Sequence, residues 1–265
     1  MATISKIEIT NSDKIYYPEL GITKLQVVQY YKNIASKILR FLYNRPLTLE
    51  RYPDGINKEG FYQKNASDYF PSFVKTEKIE TEDGSINQVV CNTKRTLIYL
   101  VNQGTLSFHI WNSKISMINK PNKVIFDLDP SENDFESVKK AAELLKEFLN
   151  EREIEPHLMT TGKNGLHVWY KIRRTKTFDE VREETKILAK NLEKKHPNLL
   201  TTSVRKDKRK GKVFIDYLRN SYGQTSICPY SLRPNKSAGI ATPISWSALK
   251  NLKSADYYNI NNIKT

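Results

Sequence analysis

The sequence contains little that would cross-link the chain or hold it in a membrane. Its 265 residues include only two cysteines, Cys91 and Cys228, too few for a disulfide framework or a cysteine-rich zinc site. No run of about 18 apolar residues occurs, and no heptad or Gly-X-Y repeat extends through the chain. A transmembrane helix, a coiled coil and a collagen-like fold are therefore excluded. The first ten residues lack a basic start followed by an apolar run, so we expect no signal peptide and a cytoplasmic protein with reduced thiols.

The composition that is present favours a folded and strongly basic protein. Hydrophobic residues make up 38% of the chain, enough for a core, and the formal net charge is +14. Nine of these excess positive charges lie in residues 201–265, and the densest run is 205–212. Such a run indicates contact with a polyanion, most commonly nucleic acid, but it is equally typical of a solvated loop.

Hydrophobic periodicity predicts a mixed fold. Apolar residues recur at helical spacing over 25–42, after Thr23, which can cap this helix with Gln26 at the third position. Strands on either side of a turn at Gly84, a helix at about 94–103 and a strand at 106–111 follow. In the second half the predicted order is β-α-β-β-α-β, at 123–129, 135–151, 156–161, 166–172, 178–195 and 213–218. This is a split βαβ pattern, in which a sheet packs on helices.

Asp127 and Asp129 form the sharpest chemical feature. Residues two apart in a strand point to the same side, so both carboxylates would project together just before Pro130 ends the strand. Adjacent carboxylates repel and raise each other's pKa, and a divalent cation such as Mg²⁺ or Mn²⁺ relieves this repulsion. A polar strand end that caps the next helix would give the same pattern, so the pair alone leaves both interpretations open.

Asp216 adds a third carboxylate inside the apolar strand at 213–218. An unpaired charge buried there would be costly, so this residue needs a partner. In a split βαβ sheet its strand can lie beside the 123–129 strand, and Asp216 could then join Asp127 and Asp129 around metal. Three carboxylates holding two ions are typical of phosphoryl transfer. A salt bridge to one of the many basic residues is the alternative.

The turn at 160–167 has the composition of a phosphate-binding loop. Its hydroxyls, its backbone N–H groups, Lys163 and His167 could hold a triphosphate, although the sequence is not a Walker A motif. His109, on its alternating strand, is a weak signal by itself. The histidines lack the spacing of zinc enzymes, so we expect no zinc.

These segments, taken together, resemble the polymerase domain of bacterial and archaeal DNA ligase D, a member of the archaeo-eukaryotic primase superfamily. The resemblance follows the chain in order over nearly its whole length. It is carried by residues 21–24, 45–48, 51–55, 61–64, 126–130, 160–167, 214–220, 229–233 and 242–246.

The resemblance implies an α+β primase-polymerase fold in a stand-alone form. An N-terminal α/β lobe, at about 1–122, would pack on an RRM-like catalytic lobe at about 123–250, with the active site between them. A C-terminal tail, 251–265, would follow, and its last ten residues look poorly anchored.

The resemblance also implies a role for each matching residue. Asp127, Asp129 and Asp216 would be the catalytic triad that holds two divalent metal ions, Mn²⁺ or Mg²⁺. Lys14 and Lys24 would hold the 5′-phosphate of a DNA break. Phe61 and Tyr62 would stack on the template, with core packing as the alternative for this pair. The residues lining the incoming nucleotide would be His109, Thr161, Gly162, Lys163, His167, Arg209, Arg219 and Arg233.

Three positions depart from the family pattern. Asn164 stands where Lys is frequent, and Arg219 stands where Gln is frequent. Glu50 lies where some relatives carry a basic residue.

The expected reaction is template-directed nucleotidyl transfer that fills gaps at double-strand breaks in non-homologous end joining. The expected partners are gapped or overhanging DNA ends with a 5′-phosphate, and nucleoside triphosphates with NTP preferred over dNTP. A separate ATP-dependent DNA ligase and a Ku-like end-binding protein are expected from the resemblance alone. The alternatives are a non-catalytic nucleic-acid binding module of the same fold, a de novo primase, and a metal nuclease.

Overall fold

The computed structural model describes residues 2–81, 84–132 and 134–263. Within these ranges the chain forms two six-stranded sheets, each with helices packed on one face. The elements of the first half are β1 (Thr3–Ile4), β2 (Ile7–Glu8), β3 (Ile15–Tyr17), β4 (Ile22–Thr23), α1 (Lys24–Asn33), α2 (Ala35–Leu42), β5 (Pro46–Arg51), β6 (Phe61–Gln63), β7 (Lys75–Thr81), β8 (Gly84–Val90), α3 (Lys94–Asn102) and β9 (Thr105–Trp111).

The second half supplies the remaining elements. These are β10 (Lys123–Asp129), α4 (Phe135–Asn150), β11 (His157–Thr160), β12 (Leu166–Lys171), α5 (Phe178–Lys195), β13 (Leu200–Thr201), β14 (Val213–Asp216), β15 (Thr225–Ile227), β16 (Pro243–Ile244) and α6 (Trp246–Leu249). Short 3-10 turns lie at Pro18–Leu20, Ile115–Met117, Lys206–Lys208 and Leu218–Asn220.

The helix predicted over 25–42 is two helices, α1 and α2, and this part of the prediction is wrong. Ile34 has φ −90° and ψ 6°, outside the helical region, and both helices meet at it. Both helices bury apolar residues in the same core, although the periodicity continues across the break. The predicted cap is confirmed: the Thr23 hydroxyl accepts from the Gln26 N–H, and the Gln26 side chain accepts from the Thr23 N–H.

The first sheet has the strand order β15-β9-β5-β8-β7, and β6 also pairs with β5. Successive side chains of each strand point to opposite faces of this sheet. Leu106, Phe108 and Leu49 are buried in the core with α1, α2 and α3. Glu50 and His109 alternate with these residues, so they lie on the opposite face of the sheet.

The second sheet has the order β13-β14-β10-β12-β11-β16, antiparallel except for the parallel β13–β14 pair. Val124, Phe126 and Leu128 of β10 form a core with α4 and α5. Asp127 and Asp129 therefore lie on the face that carries neither helix. The split βαβ order and the adjacency of the 213–216 and 123–129 strands are confirmed.

The chain returns to the first sheet after completing most of the second. β15 pairs with β9, and β16 then pairs with β11. The region predicted as the catalytic lobe thus contributes one edge strand, β15, to the first sheet. Of the last ten residues, expected to be poorly anchored, the described ones are attached to the fold: the Ile240 N–H donates to the Tyr258 carbonyl at 2.7 Å, and Asn259 forms a β-bridge with Gly239. Residues 264 and 265 lie outside the described residues.

Two further expectations can be compared with the structure. Cys91 and Cys228 are both free and buried, as the reduced-thiol interpretation predicts. In the described ranges, no helix combines the length and the apolar character that crossing a bilayer requires.

Candidate active site

Three carboxylates meet where β10 and β14 run side by side. Asp127 is the direct cross-strand partner of Asp216, and Asp129 follows two residues later on the same face of β10. Asp127 and Asp216 are both buried. Two adjacent carboxylates in a buried position require compensation by positive charge.

Arg219 and His167 supply part of this compensation. Arg219 Nε lies 3.5 Å from Asp127 Oδ2 and 3.2 Å from Asp216 Oδ2, so its guanidinium bridges two strands. His167 Nε2 lies 3.2 Å from Asp127 Oδ1. The contact is misaligned, and Asp127 Oδ1 is left buried without a hydrogen bond from the described residues. The salt-bridge alternative for Asp216 thus holds for this arrangement, with Arg219 as its partner.

The pKa values of the three carboxyls diverge because their surroundings differ. Burial opposes ionisation of Asp127, but the charges of His167 and Arg219 prevail and lower its pKa. Burial, reinforced by repulsion from Asp127, raises the pKa of Asp129 to about 7. Burial also raises the pKa of Asp216, against the opposing effect of Arg219. The cluster therefore carries more carboxylate than its neighbouring cations neutralise.

The donor chemistry of this cluster fits a divalent cation. Carboxylate oxygens are the ligands that Mg²⁺ and Mn²⁺ prefer, and Asp127 offers a buried oxygen without a hydrogen bond. Across the described ranges, no three His, Cys, Asp or Glu side chains already converge on one metal position. Arg219 lies between the carboxylates in this arrangement.

A cavity of about 340 Å³ opens between the inner faces of the two sheets. Ten of the residues singled out from the sequence line it: Tyr62, His109, Asp127, Asp129, Thr161, Lys163, Asn164, His167, Arg219 and Arg233. The others are Thr225, Ser226 and Ile227. These three belong to β15, whose sequence carries no motif that would have indicated a site.

The Thr161 hydroxyl helps to close the turn between β11 and β12. Thr161 Oγ1 donates to the Gly165 carbonyl at 3.0 Å and accepts from the Gly165 N–H at 3.1 Å. Gly162 has φ +71°, and a Cβ added there would lie 2.8 Å from Arg233 Cγ and 2.8 Å from the Ile240 carbonyl carbon. A glycine is required by both the conformation and the space.

Glu50 is a buried residue of this site. The sequence marked it only as a departure from the family pattern and not as a site residue. His109 Nε2 lies 3.3 Å from Glu50 Oε2, the Tyr62 hydroxyl donates to Glu50 Oε1 at 3.1 Å, and Lys163 Nζ lies 3.9 Å from Oε1. Burial lowers the pKa of His109 to about 4. Burial opposes ionisation of Glu50, but its hydrogen bond with His109 and the charge of Arg233 bring its pKa to about 2. At neutral pH an ionised Glu50 accepts from a neutral His109, which fixes the ring and its tautomer.

Arg209 and Arg233, two of the three arginines expected to line the incoming nucleotide, occupy different positions. Arg233 is buried, and its Nε has no hydrogen-bond partner among the described residues. Arg209 does not line the cavity. Its guanidinium lies 3.9 Å above the Phe214 ring and donates to the carbonyls of Ser203 and Val204.

Lys14 and Lys24 lie outside this cavity, in the small N-terminal ribbon region. Lys14 Nζ is 2.6 Å from Asp54 Oδ1, and Lys24 Nζ donates to Thr10 Oγ1 at 3.0 Å. Lys24 is 4% exposed. Burial, with repulsion from Lys14, lowers the pKa of Lys24 to about 8. The two ammonium groups therefore act on each other at close range.

Phe61 and Tyr62 project from β6 at the edge of the cavity. Their exposed fractions are 47% and 58%, so the core-packing alternative is wrong for both. The Arg51 guanidinium lies 5.2 Å from the Phe61 ring centroid, and the Tyr62 ring meets His109 edge-on. Tyr62 lines the carboxylate cavity, whereas Phe61, its neighbour in β6, points to the other side of the strand.

The α+β fold, with its carboxylates between two sheets, defines the chain as a primase-polymerase by architecture. It belongs to the family of the LigD primase-polymerase domain, whose family model matches residues 23–265.

Curated relatives and a solved structure agree with this placement. The chain is 33% identical over 260 residues to the bifunctional non-homologous end joining protein LigD of Bacillus subtilis strain 168. This match covers 97% of this chain and 42% of that protein. It is 29% identical over 252 residues to the multifunctional non-homologous end joining protein LigD of Mycolicibacterium smegmatis, covering 94% of this chain and 33% of that protein. The chain thus spans less than half the length of these relatives.

The solved structure is the polymerase domain from Mycobacterium tuberculosis Ligase D in complex with DNA. It superposes with a TM-score of 0.91 at 26% identity and covers 96% of this chain and 92% of that chain.

Proposed function

We propose that this chain is a template-directed nucleotidyltransferase that fills gaps at DNA double-strand breaks during non-homologous end joining. The observation that carries the proposal is one cavity in which Asp127 and Asp129 face Lys163, Arg219 and Arg233. Asp216 does not line this cavity but lies directly beside Asp127 on the neighbouring strand. Such a cavity offers carboxylates for divalent cations and cationic donors for a triphosphate.

The three carboxylates would hold two divalent cations, Mn²⁺ or Mg²⁺. When bound, such ions lower the pKa of an attacking hydroxyl and neutralise charge that develops on the transferred phosphate. Thr161 and Gly162 shape the turn that approaches the phosphates, and Lys163, His167 and Arg233 face the same space. His109, kept neutral by its burial and held in place by Glu50, would orient the nucleotide rather than neutralise it.

The substrate side of the proposal rests on surfaces beside the cavity. The exposed rings of Phe61 and Tyr62 suit stacking on a template base, which contributes about 1–3 kcal/mol per base without choice of sequence. Lys14 and Lys24 would hold a 5′-phosphate, and the basic loop that contains Arg209 would contact the strand backbone. These contacts should weaken as the salt concentration rises.

The cellular setting is proposed from the relatives. Proteins named for non-homologous end joining match over 94–97% of this chain, and the matched M. tuberculosis domain was solved with DNA. We accordingly propose that the chain prefers ribonucleotides and works with a separate ATP-dependent ligase and a Ku-like end-binding protein.

Primer extension on a gapped duplex tests the proposal. The unmodified protein should lengthen the labelled strand only with Mn²⁺ or Mg²⁺, should prefer NTP over dNTP, and should prefer a gap with a 5′-phosphate. Asp127→Ala should abolish extension while leaving DNA binding largely unchanged. Asp179→Ala is the matched control, since Asp179 is 82% exposed on α5 and should have no effect.

Each alternative gives a different result in the same assay. Tight binding without extension would identify a non-catalytic module, and a shortened strand would identify a nuclease. Synthesis on a single strand without a primer would identify a de novo primase. Undiminished extension by Asp127→Ala would contradict the role given to the carboxylates.

A further inference from the structure

A second cavity, of about 360 Å³, lies between the two sheets away from the carboxylates. Basic side chains dominate its polar lining, and no carboxylate belongs to it. The basic residues are Arg40, Arg45, Lys114, Lys123 and Lys171. None of these forms an ion pair with a described residue. The cavity therefore concentrates positive charge that the described part of the protein does not neutralise.

Lys123 and Lys171 are direct cross-strand partners. β10 and β12 pair in a register that places these two residues opposite each other. Like charges in this position destabilise a sheet. Burial, and then the charge of Arg45, lower the pKa of Lys123 to about 7. An anion between the two ammonium groups would remove the repulsion.

Arg45 and Trp169 show that the cavity presents donors rather than acceptors. The Arg45 guanidinium is buried, and its partners are neutral: the carbonyls of Trp111 and Ser113 and the side chain of Asn122. The Trp169 indole Nε1 is buried and has no hydrogen-bond partner among the described residues. A buried charge without a counter-ion and a buried donor without an acceptor are both expensive, and both call for an anionic acceptor.

An apolar cluster separates this cavity from the candidate active site. Met159, Ile227 and Ala241 are buried together, with Trp169 packed against them. Ile227 lines the carboxylate cavity, whereas Met159 and Trp169 line the basic one. A ligand in the basic cavity would thus be walled off from the carboxylates.

We propose that this basic cavity is a second anion-binding site, which takes a phosphorylated ligand of nucleotide size. The phosphate would lie between Lys123 and Lys171 near Arg45, and the remainder would contact Phe41 and Trp169. Its volume lies within the usual range of small-molecule sites. A free nucleotide and the phosphorylated end of a nucleic-acid strand share this chemistry.

Trp169 provides the assay, because a ligand in this cavity changes the surroundings of its indole. ADP is titrated in EDTA into the full chain while tryptophan fluorescence and the melting temperature are followed. We expect saturable quenching that Trp169→Phe removes, although ADP still raises the melting temperature of that variant. Lys123→Gln and Lys171→Gln should each weaken ADP binding about tenfold, the effect of one charge-assisted hydrogen bond. Each should also raise the melting temperature without ligand, because a like-charge pair is removed.

Two further variants make the assignment specific. Lys186→Gln changes a lysine of α5 that is paired with Glu183, and it should leave ADP binding unchanged. Lys163→Gln alters the carboxylate cavity and should also retain binding in EDTA. Absence of ADP binding would overturn the proposal, as would loss of binding in Lys163→Gln with retention in Lys123→Gln. A 5′-phosphorylated oligonucleotide that competes with ADP through Lys123 would identify a strand end as the ligand, and a lack of competition would identify a free nucleotide.

Discussion

Replacing Arg219 with glutamine should destabilise the metal-free protein and strengthen its binding of divalent cations. Arg219 bridges Asp127 and Asp216, and glutamine retains polarity while removing the charge. Two buried carboxylates would then face each other without their shared counter-ion. The carboxylates would then lack the positive charge of Arg219, so a divalent cation would relieve more repulsion in the variant than in the unmodified protein.

The size of the effect follows from the distances and the exposure. At an effective dielectric constant of about 20, a pair of charges about 4 Å apart gains about 4 kcal/mol, most of which desolvation offsets. The Arg219 side chain is 37% exposed, so water screens its charge further. We therefore expect the free energy of unfolding in EDTA to fall by about 1–3 kcal/mol, and the affinity for Mn²⁺ to rise about fivefold or more.

Urea denaturation in EDTA and calorimetric titration with Mn²⁺ measure the two effects. Arg182→Gln is the matched control: its guanidinium also contacts two carboxylates, at 3.5 and 3.7 Å, and is 38% exposed, but both carboxylates lie on the surface. It should lose no more than about 0.5 kcal/mol. An equal loss in both variants, or weaker Mn²⁺ binding by Arg219→Gln, would show that Arg219 does not compensate the carboxylates.

Two other predictions concern the turn and the N-terminal lysines. Gly162→Ala should lower the free energy of unfolding by about 2 kcal/mol more than Gly223→Ala does. Both glycines have positive φ, but only Gly162 has atoms within 3 Å of a new Cβ. Equal losses in urea denaturation would contradict this steric argument. The preference for a 5′-phosphorylated gap should decline as the pH rises through about 8, because Lys24 loses its charge there. The preference should vanish in the Lys14→Ala/Lys24→Ala double variant. A binding titration in which the preference is constant from pH 7 to 9 would count against Lys24.

Much of the second sheet could be predicted because its chemistry and its periodicity coincide. The alternation around Asp127 and Asp129 marked a strand end, and the isolated acid in the apolar run around Asp216 required a neighbour. The split βαβ order then placed the two strands together, as the register shows. Local pattern and global topology indicated the same arrangement.

The rest of the site depends on contacts that no local pattern encodes. Ser226 and Ile227 line the cavity because β15 pairs with β9, which lies more than one hundred residues earlier. Glu50 is buried by residues from three other segments, and its bond to His109 could not be deduced from its strand alone. Ile34 interrupts a helix within an unbroken periodicity, so only packing determines the break.

The return of the chain through β15 affects how the molecule unfolds. β14 and β16 belong to the second sheet, whereas β15 between them belongs to the first. Neither sheet is complete until the chain has crossed between them twice, so neither lobe is a contiguous folding unit. Loss of either sheet would remove a wall from the cavity, and a ligand bound there would stabilise the entire chain by mass action. We expect both sheets to melt in one cooperative transition, which moves as a whole to higher temperature when nucleotide is added.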